Sequence, residues 1–328
     1  MRSTDPDDFS VKSRVGRACT HVALGVIQNS CGKVLVTKRC QSTHLGGYFE
    51  IPGGKLMRNE SPETALAREM KEELGIEVHR CRPLIQIPYS YPDRNVFLTV
   101  FLVTEYSGTV PRDEMQEIYW KNISELEHME FPEANHGILR ALQLPRLISV
   151  TSSVEQSENF LQHFERTVKK EEISIIQFRS HELDTQQYLQ LAKKCLKKCQ
   201  RHFVHLVLNC EARLLEKVDA TGLHLTSDRL LAVKERPLGK DYLVSASCHN
   251  LEEVRHASSV GLDYIFLGPV LEKAFSTSVR PLGWKNFAQL ARHSAIPVYA
   301  IGGLGVSDVS LSIQHGGQGV AAIRALWG

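Results

Sequence analysis

The stretch of sequence that says most about this chain is GGKLMRNESPETALAREMKEELGI, residues 53–76. Ser61 and Pro62 form a favourable helix start, because a serine side chain can cap a free backbone N–H and proline is tolerated in the first turn. Gly75 is a favourable stop, since glycine readily adopts the left-handed conformation that ends many helices. The pattern therefore predicts a helix between these residues.

The predicted helix combines an apolar stripe with an acidic cluster. The apolar residues that recur every four positions, and are expected to face the core, are Leu66, Met70 and Leu74. The acidic residues that fall together on a neighbouring arc are Glu69, Glu72 and Glu73. Such a cluster is either a solvated, charge-rich helix face or a set of oxygen ligands for a hard cation such as Mg²⁺ or Mn²⁺.

The spacing around the cluster favours the second interpretation. Gly54 is followed after five residues by Glu60, and after seven more by the segment REMKEELGI. This arrangement resembles a complete Nudix box. The resemblance implies a hydrolase that acts on a nucleoside diphosphate linked to a further group, so the solvated face becomes the minor alternative.

The Nudix resemblance also implies roles for individual residues. The carboxylates matching Glu69, Glu72 and Glu73 would bind the metal, Mg²⁺ or alternatively Mn²⁺, and the glycine matching Gly53 would lend its carbonyl. Arg68 can orient a carboxylate through a bidentate bond. The general base is left open between Glu69, Glu114 and Glu117, of which the last is included among the predicted catalytic residues.

Segments outside the box resemble the MutT-type Nudix hydrolases, which cleave 8-oxo-dGTP to the monophosphate and pyrophosphate and so protect DNA from mutation. The similar segments are VTKRCQSTHLGGYFEIPGGK, YPDRNVFL and FPEANHG, within Val22 to Leu144. By this resemblance the substrate-binding residues are Arg39, His44, Glu50, Ile51, Gly53, Arg94 and Asn135. An amide such as Asn135 offers a donor and an acceptor to a base edge. Individually, Arg39 could instead be a surface cation, His44 a loop residue and Asn135 a helix cap.

After Pro145 the pattern changes to apolar strands that alternate with amphipathic segments. The eight candidate strands are LISVT, ISIIQF, VHLVLN, GLHL, YLVSA, DYIFLG, PVYAIG and GVAAI. Continuous apolar strands of this kind predict a parallel sheet covered by helices, and eight of them predict a closed barrel. The predicted fold is thus α/β: a disordered arm at 1–17, an α/β/α sandwich with a mixed sheet at 18–144, and a (β/α)8 TIM-type barrel at 147–328. The usual last barrel helix is missing, so the other domain or a partner chain is expected to cover that side.

The barrel segment resembles thiamine phosphate synthase over about Leu147 to Leu326. It departs from that family where His181 replaces a diphosphate-binding lysine, and where Cys210 and Arg229 replace two metal-binding aspartates. The pocket residues that remain are Gln177, Arg179, Asn209, Ser247, His249 and Gly303. Two interpretations stay open: an inherited scaffold, or a pocket for a phosphorylated metabolite that tunes the hydrolase. Thiamine phosphate synthase or a thiamine-related diphosphate hydrolase is the alternative activity.

Composition excludes several classes of protein. The 328 residues carry a formal net charge of only +2 and no basic run, so stable nucleic-acid binding is not expected and a phosphate-bearing substrate must be gripped locally. The 8 cysteines are scattered, as in reduced proteins. No apolar run approaches the roughly 18 residues of a membrane span, and the first residues lack the apolar core of a signal peptide. These features predict a cytoplasmic protein without membrane partners.

Overall fold

A computed structural model describes residues 19–39, 46–110, 117–152, 159–180, 182–272 and 280–327. Four features of the sequence analysis lie outside the described residues: the N-terminal arm, His44, Glu114 and His181. No helix in the described ranges is both long and apolar enough to cross a bilayer.

The N-terminal domain is built on two small sheets. The strands of the first are β1 (Cys19–Ile27), β4 (Gly53–Lys55), β5 (Glu77–Ser90) and β6 (Asn95–Ser107), in the order β4-β1-β6-β5. The strands of the second are β2 (Val34–Lys38), β3 (Phe49–Glu50) and β7 (Ile118–Lys121), in the order β3-β2-β7. β1 and β6 run parallel, whereas every other pair is antiparallel. The predicted mixed sheet is confirmed.

Helices cover both faces of the first sheet. They are α1 (Pro62–Leu74), α2 (Ile123–Leu126) and α3 (His136–Gln143). Alternate residues of β1 point to opposite faces: Ala23 and Ile27 pack with α1, while Leu24 and Val26 join the core that contains α2 and α3. This period of two produces the predicted α/β/α sandwich.

The sequence analysis missed strand β5, although it is the longest strand of the domain. Its pairing with β6 is irregular between Val78 and Arg80, between Arg80 and Cys81, and between Pro83 and Ile85. The first and third irregularities insert an extra residue in β5, and the second inserts one in β6. The inward and outward alternation of β5 is therefore shifted twice, and its period of two is lost. The segment consequently has no clear strand pattern.

The C-terminal domain is a closed barrel of eight parallel strands. They are β8 (Leu147–Val150), β9 (Ile175–Phe178), β10 (His205–Leu208), β11 (Gly222–Leu225), β12 (Leu243–Cys248), β13 (Tyr264–Leu267), β14 (Val298–Ile301) and β15 (Gly319–Ala322). The helices are α4 (Phe160–Val168), α5 (Thr185–Arg201), α6 (Ala212–Leu215), α7 (Ser227–Ala232), α8 (Leu251–Ser259), α9 (Gly283–Ala291) and α10 (Val309–Gln314). All eight predicted strands are present. Large side chains fill the interior, among them Tyr264, Phe266 and Tyr299.

The chain itself covers the side of the barrel that follows β15. The described residues Ile323–Trp327 form no helix there. Trp327 instead packs on Phe160 and Phe164 of α4, with ring centroids 5.1 and 6.1 Å apart, and Leu326 is 1% exposed. The last residues of the chain itself thus cover part of this side, which the sequence analysis assigned to the other domain or to a partner chain.

The two domains meet at the N-terminal ends of the barrel strands. Arg140 of α3 forms an ion pair with Asp263, the residue just before β13, and Gln318, just before β15, donates hydrogen bonds to the end of α3. The carboxyl ends of the strands, where barrel active sites are built, therefore face away from the N-terminal domain.

Candidate active site

The acidic helix α1 begins and ends as predicted. The Ser61 side chain accepts a hydrogen bond from the Thr64 N–H, and Gly75 closes the helix with φ 66°. Leu66, Met70 and Leu74 are fully buried. The helix can approach β1 closely because Gly25 lacks a side chain: a Cβ there would lie 2.8 Å from the Leu66 side chain.

The carboxylates of α1 lie over the backbone of β4. A Cβ on Gly54 would lie 2.1 Å from Glu69 Oε1, so only glycine leaves room for that carboxylate. Glu73 Oε2 accepts a hydrogen bond from the Gly53 N–H at 3.1 Å. Gly53 has φ 139° and would place a Cβ 2.1 Å from the Ala23 carbonyl oxygen. Protein atoms thus approach both glycines so closely that a larger residue could not be placed there without moving them.

Arg68 holds the acidic residues together. It forms a bidentate pair with Glu60, at 3.0 Å from Nε and 2.9 Å from Nη2. Its Nη1 also donates to Glu69 at 2.7 Å and to Glu72 at 3.3 Å. The hydrogen bonds from Arg68 and from the Met57 N–H lower the pKa of Glu60. Arg68 therefore ties the loop before α1 to the acidic face of the helix.

Glu73 stands in an unusually negative environment. The residue as a whole is exposed to solvent, but its carboxylate is partly desolvated by neighbouring protein atoms. This partial desolvation and the charges of Glu50, Glu69 and Glu72 raise the pKa of Glu73 to about 7, against the opposing hydrogen bond from Gly53. Glu50, which lies in β3 and was predicted to bind the substrate, is therefore a fourth member of the acidic cluster.

The acidic cluster fits a hard divalent cation in donor type and charge. Its side-chain donors are carboxylate oxygens, which suit Mg²⁺ and Mn²⁺, and their mutual repulsion is visible in the raised pKa of Glu73. Within the described ranges no group of three or more His, Cys, Asp or Glu side chains is arranged so that it could already hold a metal ion. The guanidinium of Arg68 provides the positive charge next to Glu69 and Glu72.

A second group of polar side chains lies beside the acidic cluster. Arg39 forms an ion pair with Glu50. Tyr91 is desolvated, which raises its pKa, and the nearby charges of Arg39 and Arg94 oppose that shift. Arg94 itself is paired with Asp93 at 2.7 Å. The structure thus brings together the two arginines that the sequence analysis placed in the nucleotide site.

Asn135 lies at the start of α3, in a short 3-10 helix of Glu133–Asn135. It is 6% exposed, and although it occupies the N-cap position its side chain makes no capping hydrogen bond. The alternative that Asn135 merely caps the helix is therefore wrong. Ile51 is 1% exposed and belongs to the core of the domain.

The sequence analysis missed aromatic and acidic residues near this second group of polar side chains. The rings of Tyr89 and Tyr91 are 4.7 Å apart, and the Tyr89 hydroxyl donates to Glu133. Two tyrosines at a spacing of two point to the same side of an extended chain, which was the available signal. No pattern in the sequence indicated that Glu133 would lie beside these tyrosines.

Glu117 does not join the acidic cluster. Its carboxylate lies 3.7 Å from Lys38 Nζ, and its backbone carbonyl accepts a hydrogen bond from the Lys38 N–H. The structure thus pairs Glu117 with Lys38 and places the charge of Glu50 near the predicted metal ligands.

The carboxyl ends of the barrel strands carry a cationic group of side chains. His224 of β11 is buried between the hydroxyls of Ser245 and Ser247, at 2.9 and 2.8 Å. Burial, followed by the charges of Arg179 and Arg229, lowers its pKa to about 3, so the imidazole is neutral. Arg229 also donates to the Asn209 side chain at 3.1 Å.

The other predicted barrel residues lie around this group. Gln177 of β9 is 2% exposed, and His249 pairs with Glu253 at 3.1 Å. Gly303 has φ 71°, and a Cβ there would lie 2.9 Å from the Glu272 carbonyl oxygen. In the loop GGLG that follows β14, residues 302–305, the Gly305 N–H donates to Asp308 and is therefore not free to bind a phosphate.

Comparisons with known proteins agree with this division of the chain. Residues 147–326 match the family model described as thiamine monophosphate synthase, and residues 23–141 match the NUDIX domain model. An 8-oxo-dGTP diphosphatase of Proteus vulgaris is 46% identical over 88 residues, which are 27% of this chain and 79% of the relative. The chain is a Nudix hydrolase joined to a barrel of the thiamine monophosphate synthase family.

One further relative of each half supports this assignment. The 8-oxo-dGTP diphosphatase of Escherichia coli (strain K12) is 32% identical to the Nudix domain over 122 residues, which are 37% of this chain and 95% of the relative. The putative thiamine-phosphate synthase 2 of Aquifex aeolicus (strain VF5) is 28% identical to the synthase-like barrel over 182 residues, or 56% of this chain and 97% of the relative.

Proposed function

We propose that the Nudix domain hydrolyses a nucleoside triphosphate that carries an oxidised purine, with 8-oxo-dGTP as the preferred substrate and Mg²⁺ as the cofactor. The observation that carries the proposal is the placement of Glu69 and Glu73 against the backbone of Gly54 and Gly53. The charges of Glu50 and Glu72 also act on Glu73, and Arg39 and Arg94 lie near Tyr91 beside this cluster. The similarity to two 8-oxo-dGTP diphosphatases supports the choice of nucleotide.

The proposed reaction adds one water across a phosphoric anhydride. The water oxygen bonds to phosphorus, the P–O bond that links the α and β phosphates breaks, and pyrophosphate leaves. Glu69, Glu72, Glu73 and the Gly53 carbonyl would hold Mg²⁺, which supplies neutralising charge and activates water. Arg68 keeps the carboxylates of Glu60 and Glu69 in position through charge-assisted bonds.

The pocket beside the acidic cluster supplies the specificity in this proposal. Arg39 and Arg94 provide positive charge for the nucleotide phosphates, and Tyr91 between them offers an aromatic surface for the base. The amide of Asn135 offers a donor and an acceptor to the edge of the oxidised purine. A buried amide of this kind discriminates between purines, because a base that leaves its donor or acceptor without a hydrogen bond loses about 1–3 kcal/mol of binding free energy.

A panel of nucleotides tests the proposal. The purified chain is assayed with Mg²⁺ on 8-oxo-dGTP, dGTP and other nucleoside triphosphates and diphosphates, and pyrophosphate release is measured separately from phosphate release. The expected result is the highest kcat/KM on 8-oxo-dGTP, with release of pyrophosphate. Equal kcat/KM values on 8-oxo-dGTP and dGTP would contradict the substrate but not the hydrolase.

For the barrel we propose a second function: it binds a phosphorylated small molecule without a metal ion. The observation that favours this function is the convergence of Arg179 and Arg229 on the neutral His224. Two guanidiniums can bind a phosphate directly. Synthase chemistry is not part of the proposal, because Cys210 and Arg229 stand where that family has metal-binding carboxylates.

Thermal unfolding of the full chain tests the barrel function. Phosphorylated pyrimidines and thiazoles, and inorganic phosphate, are added in the absence of metal. Binding at 100 times the Kd stabilises a protein by about 2.7 kcal/mol, so one of these ligands is expected to raise the Tm. The shift should be lost in Arg179→Met and kept in Arg201→Met, which removes an exposed arginine from the last turn of α5, at the opposite face of the barrel. A flat response to every ligand would favour an inherited scaffold.

A further inference from the structure

We infer that the N-terminal face of the barrel holds helix α3 in place and thereby positions Asn135 in the nucleotide pocket. The barrel would then be part of the hydrolase as a mechanical support, whatever it binds at its opposite face. The inference rests on the proposed function for the role of Asn135. The structural basis is a series of contacts along the length of α3.

The central contact is the ion pair between Arg140 and Asp263. The Asp263 carboxylate is 5% exposed and accepts from Arg140 Nη2 at 3.0 Å through Oδ1. Through Oδ2 it accepts from Arg236 Nη2 at 2.7 Å and from the Val244 N–H at 2.6 Å. A buried carboxylate with both oxygens occupied fixes its partners, because removal of one partner leaves a buried charge unsatisfied.

The second contact caps the C-terminal end of α3. The Gln318 side chain donates through Nε2 to the Ala141 carbonyl at 2.8 Å and to the Leu144 carbonyl at 3.1 Å. The last carbonyls of a helix have no partner within the helix. In this chain a residue of the barrel supplies the missing donor.

The third contact lies in the first turn of α3. A Cβ on Gly137 would lie 2.3 Å from the Ala295 carbonyl oxygen, so the helix backbone touches the barrel loop before β14. Asn135 is two residues away, and its backbone N–H is held by the Pro132 carbonyl. The barrel therefore contacts α3 at its start, at its middle and at its end.

A helix as short as α3 needs such support. Isolated helices of fewer than about 12 residues are marginal in water, and α3 has 8 residues. Ile138 and Leu139 pack in the Nudix core on one side, while the barrel contacts supply the other side. A movement of α3 would carry the Asn135 amide away from the base edge, and a hydrogen-bond partner left unsatisfied in this way costs about 1–3 kcal/mol of binding.

The Arg140→Met variant of the full chain tests the inference. It removes the ion pair with Asp263, together with the contacts of Nη1 with Glu127 and Gln143 inside the Nudix domain, but keeps most of the apolar stem. Asp263→Asn weakens the same ion pair from the barrel side and is expected to cause the same changes. We expect KM for the nucleotide that the wild type cleaves fastest to rise about tenfold, with kcat within about twofold, since a shifted Asn135 weakens base binding without altering the carboxylates. Arg140→Lys should restore most of the lost affinity. In the nucleotide-free protein, hydrogen exchange should become faster at residues 135–139.

Lys198→Met is the matched control. It removes the ion pair of α5 with Glu165 of α4, on the barrel; the Lys198 side chain is 23% exposed, close to the 26% of Arg140. We expect the KM and the hydrogen-exchange rates of Lys198→Met to equal those of the wild type. If Arg140→Met behaves like this control, or if exchange rises equally throughout the Nudix domain, the inference is wrong. If the wild type shows no preference for 8-oxo-dGTP, the proposed substrate fails, while the exchange measurement still decides whether the barrel positions α3.

Discussion

Replacement of Glu73 by glutamine is expected to lower nucleotide hydrolysis by at least about 100-fold, the usual loss when one preorganised electrostatic group is removed from an active site. Glutamine keeps the size of the side chain and can still contact the Gly53 N–H, but it loses the negative charge. Glu72→Gln should show a loss of the same order. Pyrophosphate release at saturating substrate and Mg²⁺ is the measurement.

The fold should survive these substitutions. In the metal-free chain the pKa of Glu73 is raised by partial burial and, to a smaller extent, by repulsion from Glu50, Glu69 and Glu72. Removing one of four like charges relieves that repulsion, so the Tm without metal should stay unchanged or rise. Glu63→Gln, which makes the same charge change in the first turn of α1, should leave hydrolysis intact. Near-normal turnover in Glu73→Gln would remove this residue from the proposed mechanism.

The second large effect is expected for Gly54→Ala. The added methyl group would stand 2.1 Å from Glu69 Oε1, at the flexible end of a side chain, so Glu69 can move aside at little cost in folding free energy. The carboxylate is then displaced from its place beside Arg68 and Glu73. We expect hydrolysis to fall about 100-fold, whereas the urea midpoint should change little, because alanine fits the strand conformation of Gly54.

Gly53→Ala is the informative comparison. At Gly53 the methyl group would meet the Ala23 carbonyl oxygen at 2.1 Å, and φ is 139°. Backbone atoms cannot move aside as a carboxylate can, and the left-handed conformation adds strain of about 1–3 kcal/mol. A clear loss of stability is therefore expected for Gly53→Ala.

For Gly54→Ala, a rate of hydrolysis equal to that of the wild type would show that the position of Glu69 is not critical.

Much of the fold could be predicted because its signals are local. Ser61 and Gly75 bound α1 through backbone capping that depends on a few neighbouring residues. The barrel strands were recognisable because both of their faces are buried, which makes them apolar throughout. The acidic cluster was predicted from spacing on a single helix, and α1 has the expected bounds and buried stripe.

The rest could not be predicted because it depends on contacts between distant parts of the chain. The charge of Glu50 in β3 acts on Glu73 of α1, which lies 23 residues further along the chain, and no periodic pattern links the two residues. The Arg140–Asp263 pair joins residues 123 positions apart. Single charged residues of this kind look like ordinary surface charges until the domains are assembled.

The position of the junction between the domains limits how the two halves can cooperate. The Nudix domain lies at the N-terminal ends of the barrel strands, while Arg179 and Arg229 lie at the carboxyl ends. Between the two ends, Tyr264, Phe266 and Tyr299 fill the described interior of the barrel. A metabolite released at one site therefore has no route through the barrel to the other and must travel through the solvent. Substrate channelling does not explain the fusion; any advantage has to come from the fixed one-to-one ratio of the two domains or from motions transmitted through α3.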